Sequence, residues 1–339
     1  MSSLTRFGTP FFGIGAMRAG TSWLSELLGT HPDCGMPPYK ELHFFDVRYG
    51  KYSGAEYYRA KANGLAQFGR SAARRIEAAL DKMDTEEENA TALESDTDEL
   101  PPGVASKPWT DEIREQFFAE AQLEKSLARI AKVVDAFFMR DVASYVEYLR
   151  RYAAGATAFG EITPAYSLLP AAAFAEMDAA FPSARFIFIM RDPVDRLWSQ
   201  VRFRNDVRRG RKLRISVDPN DDFRRALQRW DAVGRSSYQH TIEELESVVS
   251  VDRIHYLFYE SMTSPETGPA EVRRIEAALG LRPIEIDQNF FSKPVHAAPP
   301  ATLDAENEAT AIQRFAPVYA FVEERFGRQR GWRVPGAVT

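Results

Sequence analysis

One segment constrains this chain more than any other: Phe11-Phe12-Gly13-Ile14-Gly15-Ala16-Met17-Arg18-Ala19-Gly20-Thr21-Ser22. Its apolar start reads as a buried strand, and the following Trp23–Leu28 reads as a helix stopped by Gly29-Thr30-His31-Pro32. A strand that runs through a glycine loop straight into a helix opens a fold in which helices cover a parallel sheet. Gly15-x4-Gly20 has the spacing of a phosphate-binding loop, but Thr21 and Ser22 follow where the standard motif has Lys and Ser/Thr. Gly20 lets the backbone approach an oxyanion, and hydroxyls and helix-start amides can donate to it. Arg18 brings a positive charge. On these residues alone, a plain glycine turn between strand and helix stays open.

The strand–helix alternation resumes further on. Ala156–Ile162, Arg185–Met190 and Ile254–Tyr259 read as strands. Asp192 with Pro193 has the form of a helix cap followed by a first-turn proline. Ala270–Leu279 closed by Gly280, and a long helix Asp304–Phe326 closed by Gly327, complete the pattern. The expected fold class is therefore α/β, with a central parallel sheet and helices on both faces. Residues 55–150 depart from this pattern and predict a mainly helical insertion, with helices over Ala55–Met83 and Asp111–Arg151. A flexible acidic loop is expected near 84–103, since Asp81 to Glu99 holds nine acidic residues and one basic one. The whole of 1–339 then reads as a single domain: a core of roughly 240 residues carrying that insertion.

Composition closes several routes. Lys and Arg number 43 against 48 Asp and Glu, a net charge of −5, which argues against a generally basic nucleic-acid binder. Cys34 is the single cysteine, so neither an intrachain disulfide nor a cysteine-rich metal site is open to the chain. No stretch approaches the roughly 20 apolar residues of a membrane span. The expectation is a cytoplasmic protein with no membrane or nucleic-acid partner, although a luminal domain cut from its anchor would read the same way.

The strand Arg185–Met190 ends in Arg191-Asp192-Pro193. A magnesium-dependent nucleotide hydrolase needs a phosphate-binding Lys and an acidic metal ligand on a neighbouring strand. A cation at the strand end suggests a second phosphate instead, and no metal. Gly15-AMRA-Gly20-Thr21-Ser22-Trp23-Leu24, paired with Arg191-Asp192-Pro193-Val194-Asp195-Arg196-Leu197-Trp198-Ser199, resembles the motif pair of sulfotransferases. These enzymes use 3′-phosphoadenosine-5′-phosphosulfate (PAPS). The motifs lie 171 residues apart (Gly20 to Arg191), so finding both is far more specific than finding either. Lys40-Glu41-Leu42-His43-Phe44-Phe45-Asp46 is similar to the Glu-x-x-Phe-Phe segment of the heparan-type, carbohydrate-acting branch. Gly160-Glu161-Ile162-Thr163-Pro164-Ala165-Tyr166 resembles its Gly-Glu-Lys-x-Pro-x-Tyr segment. The resemblance covers roughly residues 8–50 and 155–330.

The resemblance implies a three-layer, P-loop-like fold and a set of roles. Glu41 is the proposed base, with His43 as its competitor. Arg18 is the leaving-group cation. Arg18, Ala19, Gly20, Thr21, Ser22 and Trp23 belong to the 5′-phosphosulfate side, and Arg191 and Ser199 to the 3′-phosphate. Lys293, in Phe290-Phe291-Ser292-Lys293-Pro294-Val295-His296, is a candidate ligand on a loop over the donor. Trp23 and Trp198 fit either adenine stacking or the core. Arg196 reads as structural, pairing with Asp192 or Asp195. The run Arg202–Arg214, with seven Arg/Lys and one Asp, fits either a cofactor or anionic-acceptor contact or a solvated helix end. An apolar pocket beside Phe44 and Phe45 would raise the pKa of Glu41, and residues 41 and 43 would share a face if extended. Two departures stand out. Arg18 replaces the usual Lys, and Ile162 stands where many relatives have a second Lys, for which Lys40, Arg202 or Arg204 could compensate. The implied reaction sulfates a hydroxyl or amine, of a small molecule or glycan, and releases adenosine 3′,5′-bisphosphate. A P-loop ATP-dependent phosphotransferase and a non-catalytic nucleotide- or anion-binding protein are the alternatives. Acceptor identity and oligomeric state stay open.

Overall fold

The computed structural model describes residues 8–37, 40–50, 139, 141–210, 218–292 and 299–336, with backbone alone at 207–210 and 292. Strands β1 (Thr9–Gly15), β2 (Cys34–Gly35), β3 (Ala158–Ile162), β4 (Arg185–Met190) and β5 (Ile254–Phe258) form one parallel sheet in the order β2-β3-β1-β4-β5. The α/β class with a parallel sheet flanked by helices is the one expected. β1 lies at the centre and is buried from Pro10 onward, and β4 from Phe186 onward. Continuous apolar runs such as RFIFIM suit strands covered on both faces. Gly160 is the residue that lets β3 close on β1: a Cβ there would lie 2.0 Å from the Phe11 carbonyl oxygen.

This strand order positions the site. The chain leaves β1, builds β2 and β3 on one side, then crosses to β4 on the other. The carboxyl ends of β1 and β4 are therefore neighbours, at the point where such sheets open a binding crevice. From β1 the chain passes through residues 16–20 into helix α1 (Thr21–Thr30), and from β4 through Arg191 and Asp192 into Pro193–Gly210. The Asp192 cap forms as read: its Oδ1 accepts from the amides of Val194 and Asp195, both at 3.0 Å, with Pro193 in the first turn. Gly268–Leu279 ends on Gly280 at φ 69°, the left-handed stop expected there.

One expected element breaks in two. Asp304–Phe326 is not one helix but Ala305–Arg314 and Ala316–Phe326, meeting at Phe315. Pro317 sits in the first turn of the second helix, where it has no amide to donate and its ring would clash with the carbonyl four residues back. The C-terminal part of the expected helix Asp111–Arg151 is present as Val142–Arg150, started by a capping box between Asp141 and Ser144. Its earlier part, the expected helix Ala55–Met83 and the acidic 84–103 loop lie outside the described residues. Among the described residues, no helix is long and apolar enough to cross a membrane.

Candidate functional site

The loop between β1 and α1 is held by β4 and by the helix that follows it. The Ala16 amide donates to the Ile189 carbonyl at 2.7 Å. Arg191 Nη1 donates to the Arg18 carbonyl at 3.1 Å, and Arg196 Nη1 to the Met17 carbonyl at 3.3 Å. Arg18 adopts φ 67° and Gly20 φ 93°. Gly20 is required on two counts: its left-handed φ, and a close approach in which a Cβ would come within 2.8 Å of Met262 and Tyr259. α1 starts with no side-chain cap and no acidic residue in its first turn, so nothing there competes with an incoming anion.

The two motifs meet through their cations. Arg18 Nε donates to Ser199 Oγ at 3.1 Å, and its guanidinium lies 4.5 Å from the Phe203 ring centroid. Arg191 lies over Tyr259 at 4.3 Å. Burial lowers the pKa of Arg18, and the nearby charges of Arg191 and Arg202 lower it further. Burial, then Arg191, does the same to Arg202. Arg191 Nε and Arg202 Nε are buried without a hydrogen-bond partner among the described residues. Neither of these two side chains has an ion-pair partner there. Three guanidinium groups that repel one another, two of them with an orphaned buried N–H, make a site whose missing component is an anion.

A second cluster faces the start of α1. Lys40 Nζ donates to Ser22 Oγ at 2.9 Å and lies 3.1 Å from Glu41 Oε1. His43 Nε2 is 3.5 Å from Glu41 Oε2, and His43 Nδ1 is 2.8 Å from Asp46 Oδ2. Glu41 and His43 thus share a face, but not through extended backbone. Both are left-handed, with φ 66° and 53°, and the turn folds one side chain back on the other. The expected rise in the Glu41 pKa is also corrected. Burial pushes it up, but hydrogen bonds and charge from His43 and Lys40 outweigh that and bring it to about 2. Burial pulls the His43 pKa down, while Asp46 and Glu41 raise it to about 9. At neutral pH the carboxylate is bare and the imidazole already carries its second proton. That favours Glu41 over His43 as the proton acceptor.

A buried carboxylate beneath fixes this turn. Glu161 Oε2 accepts from the Leu42 amide at 3.3 Å and from Thr163 Oγ1 at 2.5 Å. Glu161 Oε1 accepts from Tyr145 and Tyr166 hydroxyls at 2.6 and 2.8 Å. The Tyr166 hydroxyl in turn accepts from the Phe44 and Phe45 amides at 3.2 and 3.5 Å. Burial raises the Glu161 pKa. Sequence reading took Glu161 only as part of a resembling segment; the Glu-x-Thr-x-x-Tyr spacing at a strand end was the available signal for a positioning hub. Ile162 is buried in the core and packs where Gly13 leaves room, so β3 sends no cation into the site at that position.

Other expected residues fall in different places. Arg196 is structural, but it pairs with neither Asp192 nor Asp195. Fully buried, it donates to Ser236, to Gln200 Oε1 at 2.8 Å and to the Ala232 carbonyl at 2.7 Å, besides Met17. The partner of those two aspartates is Arg333, whose Nη1 is 2.8 Å from Oδ1 of each. Tyr319 and the Arg333 amide add hydrogen bonds to Asp192 Oδ2, both at 2.9 Å. Glu260 accepts from the Asp192 amide at 3.0 Å and from Trp332 Nε1 at 2.8 Å, and burial pushes its pKa to about 7. The C-terminal segment therefore clamps the turn that carries Arg191, a role that sequence spacing does not reveal. Trp23, 2% exposed, packs on Phe290 at 4.8 Å and donates to its carbonyl, and Trp198 packs on Phe223. The core alternative is the one their surroundings favour. The Ala19 amide is used inside the loop, donating to the Ala16 carbonyl at 3.1 Å. Lys293 and residues 211–214 of the basic run lie outside the described residues.

Comparison with known proteins follows the same lines. The model of the "Sulfotransferase family" matches residues 10–285. No curated protein sequence matches the chain. A crystal structure of a sulfotransferase from Alicyclobacillus acidocaldarius is 18% identical, with TM-score 0.54, covering 95% of this chain and 96% of that one. A sulfotransferase from Mycobacterium avium is 16% identical, with TM-score 0.45, covering 97% and 79%. The sulfotransferase domain of the olefin synthase of Synechococcus PCC 7002 is 16% identical, with TM-score 0.41, covering 93% and 98%.

Proposed function

The chain belongs to the sulfotransferase family, and on that premise we propose that it transfers a sulfuryl group from PAPS to a hydroxyl or amine acceptor. The observation that carries the reading is the crowding of Arg18, Arg191 and Arg202 beside Ser199, with two orphaned buried N–H groups, one layer away from the bare α1 start. Two anion-seeking places at neighbouring strand ends suit a nucleotide with phosphate at both its 3′ and 5′ positions. Arg191, Ser199 and Arg18 would hold the 3′-phosphate. Gly20, Thr21 and Ser22 would hold the 5′-phosphosulfate.

In this mechanism the acceptor O–H or N–H gives its proton to Glu41 as its lone pair forms the new bond to sulfur. The bond from sulfur to the bridging oxygen breaks in line, and its electron pair stays on the 5′-phosphate of adenosine 3′,5′-bisphosphate. The protein's part is to hold a deprotonated carboxylate within reach and to meet the charge that builds on the leaving phosphate. Lys40-Glu41-Leu42-His43-Phe44-Phe45 supports a carbohydrate acceptor through its likeness to the carbohydrate-acting branch. The ATP-dependent alternative is disfavoured by Arg191, a cation at the strand end where a metal-binding carboxylate would be required.

A thermal-shift titration tests the donor site. Adenosine 3′,5′-bisphosphate should raise Tm, by about 2.7 kcal/mol of added stability at one hundred times its Kd. 5′-AMP at equal concentration should raise it much less. Equal stabilisation by both would remove the role given to Arg191 and Ser199. Radiolabelled PAPS offered with a panel of glycans and small phenols, alcohols and amines then identifies the acceptor.

A further inference from the structure

Resting on that reading, we propose that Lys40 is the cation that meets the charge developing on the 5′-phosphate side, in place of the lysine that this chain lacks at position 162. Three residues were open for that task. Arg202 reaches instead toward the Pro299 carbonyl at 3.4 Å and the Trp198 ring, and Arg204 is exposed. Arg18 donates to Ser199 and lies over Phe203, on the side of the second motif. Lys40 Nζ lies 2.9 Å from Ser22 Oγ, in the first turn of α1, while its side chain remains 30% exposed.

The same ammonium is 3.1 Å from Glu41 Oε1, which gives it a specific electrostatic task. Before transfer, its counter-charge is the Glu41 carboxylate. During transfer Glu41 takes the acceptor proton and loses its charge, while a new negative charge appears on the phosphate side, toward Ser22. A cation lying between the two stays paired throughout and needs no large movement, so it stabilises the transition state more than either end state without it. A lysine suits this better than an arginine. Its compact ammonium can turn from one oxygen to another without the fixed fork of a guanidinium.

The test is direct binding by calorimetry, backed by kinetics. The ratio of Kd for adenosine 3′-monophosphate to Kd for adenosine 3′,5′-bisphosphate reports what the 5′-phosphate contributes. The corresponding ratio for 5′-AMP reports the 3′-phosphate. K40M, and independently K40Q, should cut the first ratio about tenfold or more and leave the second unchanged. Both should lower kcat by roughly 10²-fold or more, and K40R should restore part of it. A first ratio that stays within twofold of wild type in both variants would overturn the proposal. If wild-type protein fails to prefer the bisphosphate over either monophosphate, the donor site itself is wrong, and the role of Lys40 falls with it.

Discussion

Replacing Arg333 by Met should destabilise the protein chiefly through one buried group, Asp192. That carboxylate is fully buried and accepts five hydrogen bonds: from the Val194 and Asp195 amides, the Tyr319 hydroxyl, the Arg333 amide and Arg333 Nη1. Arg333→Met keeps the apolar stem and the backbone amide but removes the charge. Stripping the partner from a buried ion pair costs about 3–5 kcal/mol. Four neutral donors remain, two of them at a helix N-terminus, so the lower part of that range applies, about 2–3 kcal/mol. The lost contacts to Asp195 and Glu308, each about one-third exposed, add well under 1 kcal/mol apiece. The expected fall in Tm is roughly 4–8 °C. A double-mutant cycle with Asp192→Asn isolates the pair, since Asn still caps the helix that begins at Pro193. The two changes should couple by about 2 kcal/mol, the double variant being little worse than Arg333→Met alone. Additivity within about 0.5 kcal/mol would refute the reasoning and place the effect of Arg333 elsewhere.

Glu41→Gln should lower kcat by about 10²–10⁴-fold while adenosine 3′,5′-bisphosphate binds as before; unchanged turnover in the acceptor assay would pass the base to His43 or another group. His43 has its pKa raised to about 9 by Asp46 and Glu41 against the cost of burial, above the ordinary 6.5. Its stabilising contribution is therefore complete below about pH 6.5 and lost as pH rises through about 9. Urea unfolding across that window should show stability falling toward alkaline pH, and His43→Gln should flatten the slope. An unchanged slope would mean that the imidazolium is not held as described.

Much of the sheet was legible because its signals are local. RFIFIM is buried along its length but for Arg185, and Asp192-Pro193 caps the next helix as its chemistry dictates. The second C-terminal helix was missed although Pro317 was in plain sight. Ala311, Phe315, Tyr319 and Val322 are all buried at helical spacing, so the apolar period runs unbroken across the backbone break. The phosphate loop and the strand-end arginine were readable as motifs. Their contacts were not, since Arg18 reaches Ser199 across 181 positions and Arg333 reaches Asp192 across 141. The ionisation of Glu41 was misjudged for a related reason. An apolar neighbourhood was visible in Phe44 and Phe45, but two consecutive alternate residues turning left-handed, and so bringing His43 onto Glu41, was not.

Helix α2 (Phe44–Arg48) and the helix Val142–Arg150 stand side by side, with Phe44 stacked on Tyr145 at 4.6 Å between ring centroids. Arg48 is anchored on Glu176 by two hydrogen bonds, at 2.8 and 2.7 Å, and Asp141 is fixed by its capping box. Where the chain departs from the core and where it returns are thus pinned by the core itself. Closing a loop between fixed ends costs only about 0.6 kcal/mol more for each doubling of its length. The stretch between them is a replaceable cassette: descendants of this gene can lengthen, shorten or exchange it at little thermodynamic penalty, while the base and both phosphate-seeking loops are inherited intact.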